Sequence, residues 1–239
     1  MKIPMFFVIG IPRSGTTWLA SFLSGCNPQW MMVHEAHLGD YVAGRVAAFC
    51  PWESEAYVNG PRHERILHYI NLKKRDAVGY GEVTPRVHYF AADLQRRYPK
   101  ARFVHLVRDP RQAVPSLMNF GYYATDAGRI HRRVAPDGGS WKQHRRAAWA
   151  WAYGHNRVRQ TIPEFVRFED LVRDFDAIDG LAKTLGITCD RKSWERRRGE
   201  KMNASKPQHP AWEDWPPSWK RELRDMCGAE ARQYGYLAD

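Results

Sequence analysis

The feature that most limits how this chain can fold is an apolar run that ends in a glycine-bounded loop near its start. Residues Met5–Ile9 are continuously apolar, which favours a buried strand of a parallel sheet. Residues 10–17 follow as Gly-Ile-Pro-Arg-Ser-Gly-Thr-Thr, and the next residues have helical character. This order predicts a phosphate-binding turn, because backbone N–H groups and a helix N-terminus both attract anions.

The loop differs from the G-x-x-x-x-G-K-[ST] pattern of nucleotide-hydrolysing enzymes at one informative position. Thr16 stands where the lysine belongs, and the cation of the loop is Arg13 instead. Kinases and ATPases use that lysine to reach the β- and γ-phosphates beside magnesium, so its absence argues against them. The hydroxyls of Thr16 and Thr17 can still donate to phosphate oxygens. A small-molecule kinase that uses Mg-ATP remains the alternative enzyme.

The rest of the chain alternates apolar strands with helical segments. Candidate strands cover residues 30–33, 78–80, 102–107 and 165–168, and candidate helices cover residues 56–75, 85–98, 141–160, 169–186 and 218–235. The alternation predicts one α/β domain over residues 1–239, with a central parallel sheet flanked by helices and ligands at the carboxyl ends of the strands. Residues 191–217 are expected to be basic and irregular. Pro115 is expected to kink or shorten the helix that follows Pro110.

The composition and the net charge limit which cellular compartment and which kinds of partner are expected. The net charge of +11 favours an anionic partner, and a nucleic-acid-binding module is a second alternative, although no helix-turn-helix, RNA-recognition or zinc signature is present. The four cysteines form no Cys-x-x-Cys pair and are expected to be free thiols in a reducing compartment. The first apolar run is too short to span a membrane, so a cytoplasmic protein is expected.

Three motifs, in register along the chain, carry a family resemblance. Residues 12–18, Pro-Arg-Ser-Gly-Thr-Thr-Trp, resemble the 5′-phosphosulfate loop of sulfotransferases that use 3′-phosphoadenosine 5′-phosphosulfate (PAPS). Arg108-Asp109-Pro110 after a strand, followed by Ser116, resembles the second motif of that family, and residues 166–171 resemble its Tyr-Glu-Asp-Leu segment. Arg108 ends a strand and Ser116 lies about two helical turns later, so both can reach one phosphate.

The resemblance implies a set of ligands for the nucleotide. It assigns the donor to Pro12, Arg13, Ser14, Gly15, Thr16, Thr17 and Trp18, and the 3′-phosphate to Arg108 and Ser116. Arg197, Arg198 and Gly199 are loosely similar to the segment that closes over that phosphate in cytosolic members. Arg13 would stabilise the departing 3′,5′-phosphoadenosine electrostatically, because arginine cannot serve as an acid.

The resemblance also implies sulfuryl transfer without a metal, aided by a base. Glu35 follows a candidate strand in a setting similar to the glutamate of glycan sulfotransferases, and His37 and Glu82 are the alternatives. His34 is expected to point to the opposite face from Glu35. Residues 81–85 resemble a Glu-Lys-Ser/Thr-Pro stretch in which Val83 replaces the lysine, which disfavours a heparan-type acceptor. A hydroxyl or amine on a glycan, lipid, phenol or peptide remains open as the acceptor.

Overall fold

The computed structural model describes residues 3–35, 76–85, 88–121, 123–124, 135, 137–202, 204 and 206–237. The candidate helix at 56–75 and His37 lie outside these residues. The described strands are β1 (Met5–Ile9), β2 (Met31–His34), β3 (Tyr80–Thr84), β4 (Arg102–Val107) and β5 (Phe165–Arg167). They form a parallel sheet in the order β2-β3-β1-β4-β5, so the α/β fold prediction is confirmed.

Helices cover both faces of this sheet. They are α1 (Thr16–Cys26), α2 (Ala91–Arg97), α3 (Pro110–Asn119), α4 (Gln143–Arg159), α5 (Phe168–Arg173), α6 (Phe175–Leu185), α7 (Arg191–Arg197) and α8 (Pro217–Arg232). Side chains alternate along β1, so Phe6 and Val8 pack with α1 and α6 while Phe7 and Ile9 face α2 and α4. The central strand is therefore buried on both faces, as its continuous apolar sequence requires.

The strand register brings the functional segments to one edge. Ile9 at the end of β1 pairs with Thr84 of β3 and with His105 of β4. The loop after β1 therefore emerges between the segments that follow its two neighbours. Parallel strands place all their carboxyl ends on the same side of the sheet, which is where this fold binds ligands.

Several element boundaries differ from the prediction. Strand β3 begins at Tyr80, where the candidate strand 78–80 ended, because Val78 is exposed and the buried stretch continues through Gly81 and Glu82. A Cβ at Gly81 would lie 2.2 Å from Phe6 Cζ, so glycine is needed there although it weakens the apolar pattern. Helix α3 runs through Pro115 to its end at Asn119.

Two helices replace other expected features in the second half of the chain. Residues 191–197, predicted to be irregular, form helix α7, because the carboxylate of Asp190 accepts the backbone N–H of Ser193 at 2.7 Å and caps the helix. The helix expected from Glu169 to Gly186 is divided at Asp174, whose side chain caps α6 at Asp176. Within the described ranges, none of the helices is both long and apolar enough to cross a bilayer.

Candidate active site

The loop after β1 has the conformation of an anion cradle. The backbone N–H of Gly10 donates to the Thr84 carbonyl at 3.1 Å, and that of Ser14 donates to the Ile11 carbonyl at 3.2 Å. Two residues turn the chain with positive φ, namely Arg13 at 73° and Gly15 at 91°. The first N–H groups of helix α1 have no acceptors within the helix, and no side-chain cap accepts them. An anion at this position would satisfy them.

Gly15 is required for two separate reasons. Its φ of 91° lies in the left-handed region that glycine tolerates best, and a Cβ would lie 2.2 Å from Phe168 Cδ2. Phe168 begins α5, and its ring also packs edge-on against Trp18 at 5.7 Å between centroids. Phe168, in the third sequence motif, therefore packs against Gly15 and Trp18 of the first motif.

The structure brings together three residues that the sequence assigned to the nucleotide. Arg13 Nε donates to Ser116 Oγ at 2.8 Å, and Arg108 Nη1 donates to the Arg13 carbonyl at 3.0 Å. The guanidinium of Arg13 also lies 4.9 Å from the ring centroid of Phe120, an exposed aromatic residue at the end of α3. The guanidinium groups of Arg13 and Arg108 and the hydroxyl of Ser116 thus lie beside the loop of residues 10–17, which we call the phosphate loop.

The donors of this cluster fit a phosphorylated ligand. Among the described residues, Arg108 Nε and Ser14 Oγ are buried without a hydrogen-bond partner. Burial lowers the pKa of Arg108, while the nearby Glu169, Tyr236 and Asp109 raise it. Arginine stays charged in proteins, so Arg108 is a half-buried cation whose Nε is an unused donor. A phosphate group would supply an acceptor for that donor.

Glu35 and His34 lie together, which corrects the expectation that they point to opposite faces. Glu35 has a φ of 56°, so the strand alternation that ends at His34 does not extend to it. Glu35 Oε1 lies 4.0 Å from His34 Nε2, which in turn lies 3.2 Å from Thr16 Oγ1. The side chain of Glu35 is 15% exposed. A carboxylate, an imidazole and the phosphate loop therefore form a continuous line of polar groups.

Glu82 and Arg197, two further predicted site residues, are held by residues outside the cluster of Arg13, Ser116 and Arg108. Glu82 is buried inside the sheet, where its carboxylate accepts a hydrogen bond from Tyr80 Oη at 2.6 Å. Arg197 donates to the hydroxyl and the carbonyl of Ser21 on α1, at 2.6 and 3.0 Å. Its carbonyl accepts the indole N–H of Trp18 at 2.8 Å.

The remaining predicted ligands are exposed or partly exposed. The guanidinium of Arg198 lies 5.0 Å from the Trp194 ring centroid, and Gly199 is exposed after it. Pro12 and Thr17 are half-buried in the loop. The contacts described for Arg197 and Arg198 do not join them to the cluster of Arg13, Ser116 and Arg108.

Sequence reasoning gave no role to several residues that support the site. They are Phe120 over Arg13, Phe168 under Gly15, Trp151, Glu169 and Tyr236. The only available signal was the aromatic residue and glutamate that begin the third motif. Trp151 and Tyr236 contact the site from distant parts of the chain, and no local pattern marks such contacts.

Comparison with known proteins identifies the family of this chain. A model of the sulfotransferase family matches residues 42–191, more than half of the chain and a range that contains Arg108 and Ser116. A sulfotransferase from Alicyclobacillus acidocaldarius is 15% identical with a TM-score of 0.55, and the alignment covers 98% of this chain and 94% of that one. The sulfotransferase domain from the curacin biosynthetic pathway is 15% identical with a TM-score of 0.59, and the whole of both chains is aligned.

A third structure shares the same fold. Sulfotransferase STF9 from Mycobacterium avium is 14% identical with a TM-score of 0.58, over 98% of this chain and 77% of that one. No curated protein sequence gives a significant match. The structural neighbours establish the fold and the family match establishes the relationship: this chain belongs to the sulfotransferase family and is a sulfotransferase.

Proposed function

We propose that the protein transfers the sulfuryl group of PAPS to a hydroxyl or amine of an acceptor, by in-line displacement. The observation that carries this proposal is the meeting of Arg13, Ser116 and Arg108 beside the phosphate loop. Two of the buried donors there, Arg108 Nε and Ser14 Oγ, have no hydrogen-bond partner in the described part of the chain. A nucleotide with phosphate at both its 5′ and 3′ positions fits this arrangement, with the 5′ group at the loop and the 3′ group at the cluster.

Each part of the site has a distinct proposed role. The N–H groups of the loop, with Ser14, Thr16 and Thr17, hold the 5′-phosphosulfate, while Arg108 and Ser116 hold the 3′-phosphate. PAPS supplies the sulfuryl group. Arg13 stabilises the negative charge that grows on the bridging oxygen as its bond to sulfur breaks. The positive φ of Arg13, a conformation that costs about 1–3 kcal/mol in a non-glycine residue, aims its side chain toward Ser116.

We assign the proton of the acceptor to Glu35. As the acceptor oxygen or nitrogen bonds to sulfur, its proton passes to the carboxylate, and 3′,5′-phosphoadenosine leaves with the bridging oxygen. His34 lies between Glu35 and Thr16, so the carboxylate is close to the phosphate loop. Glu82 is a weaker choice because the sheet buries it and Tyr80 already binds it. His37 remains the other alternative.

The basic segment after α7 has a supporting role in this proposal. Arg197 is held by Ser21 on α1 and anchors the segment. We assign to Arg198 and Gly199, which follow this anchor, the contact of the segment with the nucleotide. The indole of Trp18 bonds to the carbonyl of Arg197 and ties the phosphate loop to this segment. The acceptor is proposed only by its reacting group, as a hydroxyl or amine on a glycan, lipid, phenol or peptide.

Calorimetric titration tests the donor assignment. The protein is titrated with 3′,5′-phosphoadenosine, adenosine 5′-phosphate and ATP, each with and without magnesium. We expect binding of 3′,5′-phosphoadenosine that does not depend on magnesium and that is at least tenfold tighter than binding of adenosine 5′-phosphate, since an ionic phosphate contact contributes about 1.5–3 kcal/mol. A preference for Mg-ATP would overturn the proposal in favour of a kinase.

A further inference from the structure

The backbone around Arg108 is held from two sides. The indole N–H of Trp151 on α4 donates to the carbonyl of Arg108 at 3.0 Å. The next backbone N–H, that of Asp109, donates to Glu169 Oε1 at 3.0 Å. Asp109 in turn caps α3 through the N–H of Arg111 at 2.8 Å. The junction from which the Arg108 side chain extends is therefore fixed by residues of α4 and α5.

The second carboxylate oxygen of Glu169 accepts a hydrogen bond from a residue near the end of the described chain. Tyr236 Oη donates to Glu169 Oε2 at 2.6 Å, from a turn that follows α8. Tyr236 is 6% exposed, and Gly235 and Leu237 on either side of it have positive φ values of 76° and 51°. Burial and the neighbouring Glu169 carboxylate raise the pKa of Tyr236, so the phenol keeps the proton that it donates. Both carboxylate oxygens of Glu169 are thus engaged.

We propose that Tyr236, acting through Glu169, is a positioning residue that sets the place of Arg108 for the 3′-phosphate. The inference rests on the proposed function and adds to it a residue far from the motifs in the sequence. It concerns the 3′-phosphate alone, because the hydrogen-bonded path runs from Tyr236 through Glu169 to the backbone of Asp109 and so to Arg108.

Two physical effects make the path consequential. Arg108 Nη1 bonds to the Arg13 carbonyl at 3.0 Å and Nη2 bonds to Gln112 Oε1 at 3.2 Å, so a shift of its backbone would misplace both donors. The carboxylate of Glu169 also acts on Arg108 as a charge, since it opposes the effect of burial on the pKa of that guanidinium. A carboxylate free to rotate would weaken both effects.

Tyr236→Phe tests the inference with the smallest change. The variant keeps the buried ring, which lies 6.0 Å from the Arg167 guanidinium, and removes only the hydroxyl. We expect the Kd of 3′,5′-phosphoadenosine to rise about 3- to 10-fold, which is less than the full contribution of a hydrogen bond to a charged group, because Asp109 still holds Glu169 in this variant. The Kd of adenosine 5′-phosphate should change less than twofold, because that ligand lacks the 3′-phosphate.

Tyr234→Phe is the matched control. Tyr234 belongs to the same turn and is also buried, but its hydroxyl donates to Glu230 on α8. This variant should leave the ratio of the two dissociation constants unchanged. Glu169→Gln is a second test, and it should weaken 3′,5′-phosphoadenosine at least as much as Tyr236→Phe does, since an amide N–H group replaces one of the two carboxylate oxygens that accept from Tyr236 and Asp109. Thermal unfolding of each variant shows that the proteins compared are folded.

The outcomes separate this inference from the proposal on which it rests. The inference is overturned if Tyr236→Phe weakens both nucleotides equally, weakens neither, or behaves as Tyr234→Phe does. If the unsubstituted protein shows no preference for the 3′-phosphate, the proposed function fails first. A preference that only Tyr236→Phe and Glu169→Gln reduce would establish the positioning role.

Discussion

Gly15→Ala should destabilise the protein by an amount that has two separable parts. The left-handed backbone at φ 91° costs an alanine about 1–2 kcal/mol. The new methyl group would lie 2.2 and 2.3 Å from Phe168 Cδ2 and Cε2, and overpacking of this kind costs about 1–3 kcal/mol. The expected loss of unfolding free energy is therefore about 2–5 kcal/mol.

A double-mutant cycle with Phe168→Ala separates the two parts. Truncating Phe168 removes the atoms that the methyl group would meet, so only the backbone cost of about 1–2 kcal/mol should remain in that background. Urea unfolding of the four proteins gives the coupling, expected at about 1–3 kcal/mol. An equal cost of Gly15→Ala in both backgrounds would refute the packing of Phe168 on the phosphate loop.

Gly121→Ala provides the matched control for backbone strain. Gly121 has a φ of 76°, and a Cβ there would meet none of the described atoms within 4 Å. This variant should lose about 1–2 kcal/mol of stability, and its binding of 3′,5′-phosphoadenosine should be unchanged. Gly15→Ala should lose that binding as well, because the N–H groups of the loop no longer converge. Loss of binding in both variants would show that strain alone accounts for the effect.

The remaining predictions concern single side chains. Glu35→Gln should lower kcat by about 10²- to 10⁴-fold and change nucleotide affinity less than twofold, as measured by turnover and calorimetry; full activity would transfer the role of base to another group. Arg108→Ala should weaken 3′,5′-phosphoadenosine about tenfold or more with little effect on adenosine 5′-phosphate; equal weakening of both would refute its role. Burial lowers the pKa of His105 to about 3 and that of His155 well below its ordinary value. The unfolded chain therefore binds more protons than the folded chain as the pH falls. The free energy of unfolding should decrease by about 2 kcal/mol per imidazole between pH 7 and pH 5. Urea unfolding at each pH would show this loss, and a flat profile would contradict it.

Local patterns were sufficient to predict the fold class and to mark Arg13, Arg108 and Ser116, which the structure brings together. The apolar run before Gly10 and the strand before Arg108 are each continuous, and parallel strands place the segments after them at one edge. The spacing from Arg108 to Ser116 on a helix then suggested that the two could reach one phosphate. The structure places both beside Arg13, although their roles toward the nucleotide remain predictions.

Single backbone angles and distant contacts could not be predicted from the sequence. The φ of 56° at Glu35 reverses the side that strand alternation assigns to it, and nothing in the residue type favours that angle. The burial of Glu82 could not be predicted, because glycine and glutamate interrupt the apolar pattern of its strand. Tyr236 reaches Glu169 only after the chain has passed through α6, α7 and α8, so its contact follows from tertiary packing alone.

The strand order separates Glu35 from Arg108, two charged residues with different roles in the proposed reaction. Glu35 follows β2 at one end of the sheet, whereas Arg108 follows β4, with β3 and β1 between them. Three strand spacings of about 4.8 Å set β2 and β4 about 14 Å apart, with the phosphate loop on β1 in between. Glu35 and Arg108 therefore belong to different parts of the site, while Glu169, which does lie near Arg108, is tied by Tyr236 and Asp109. In-line transfer requires the attacking group and the leaving group on opposite sides of the sulfur, and this order of strands supports that geometry.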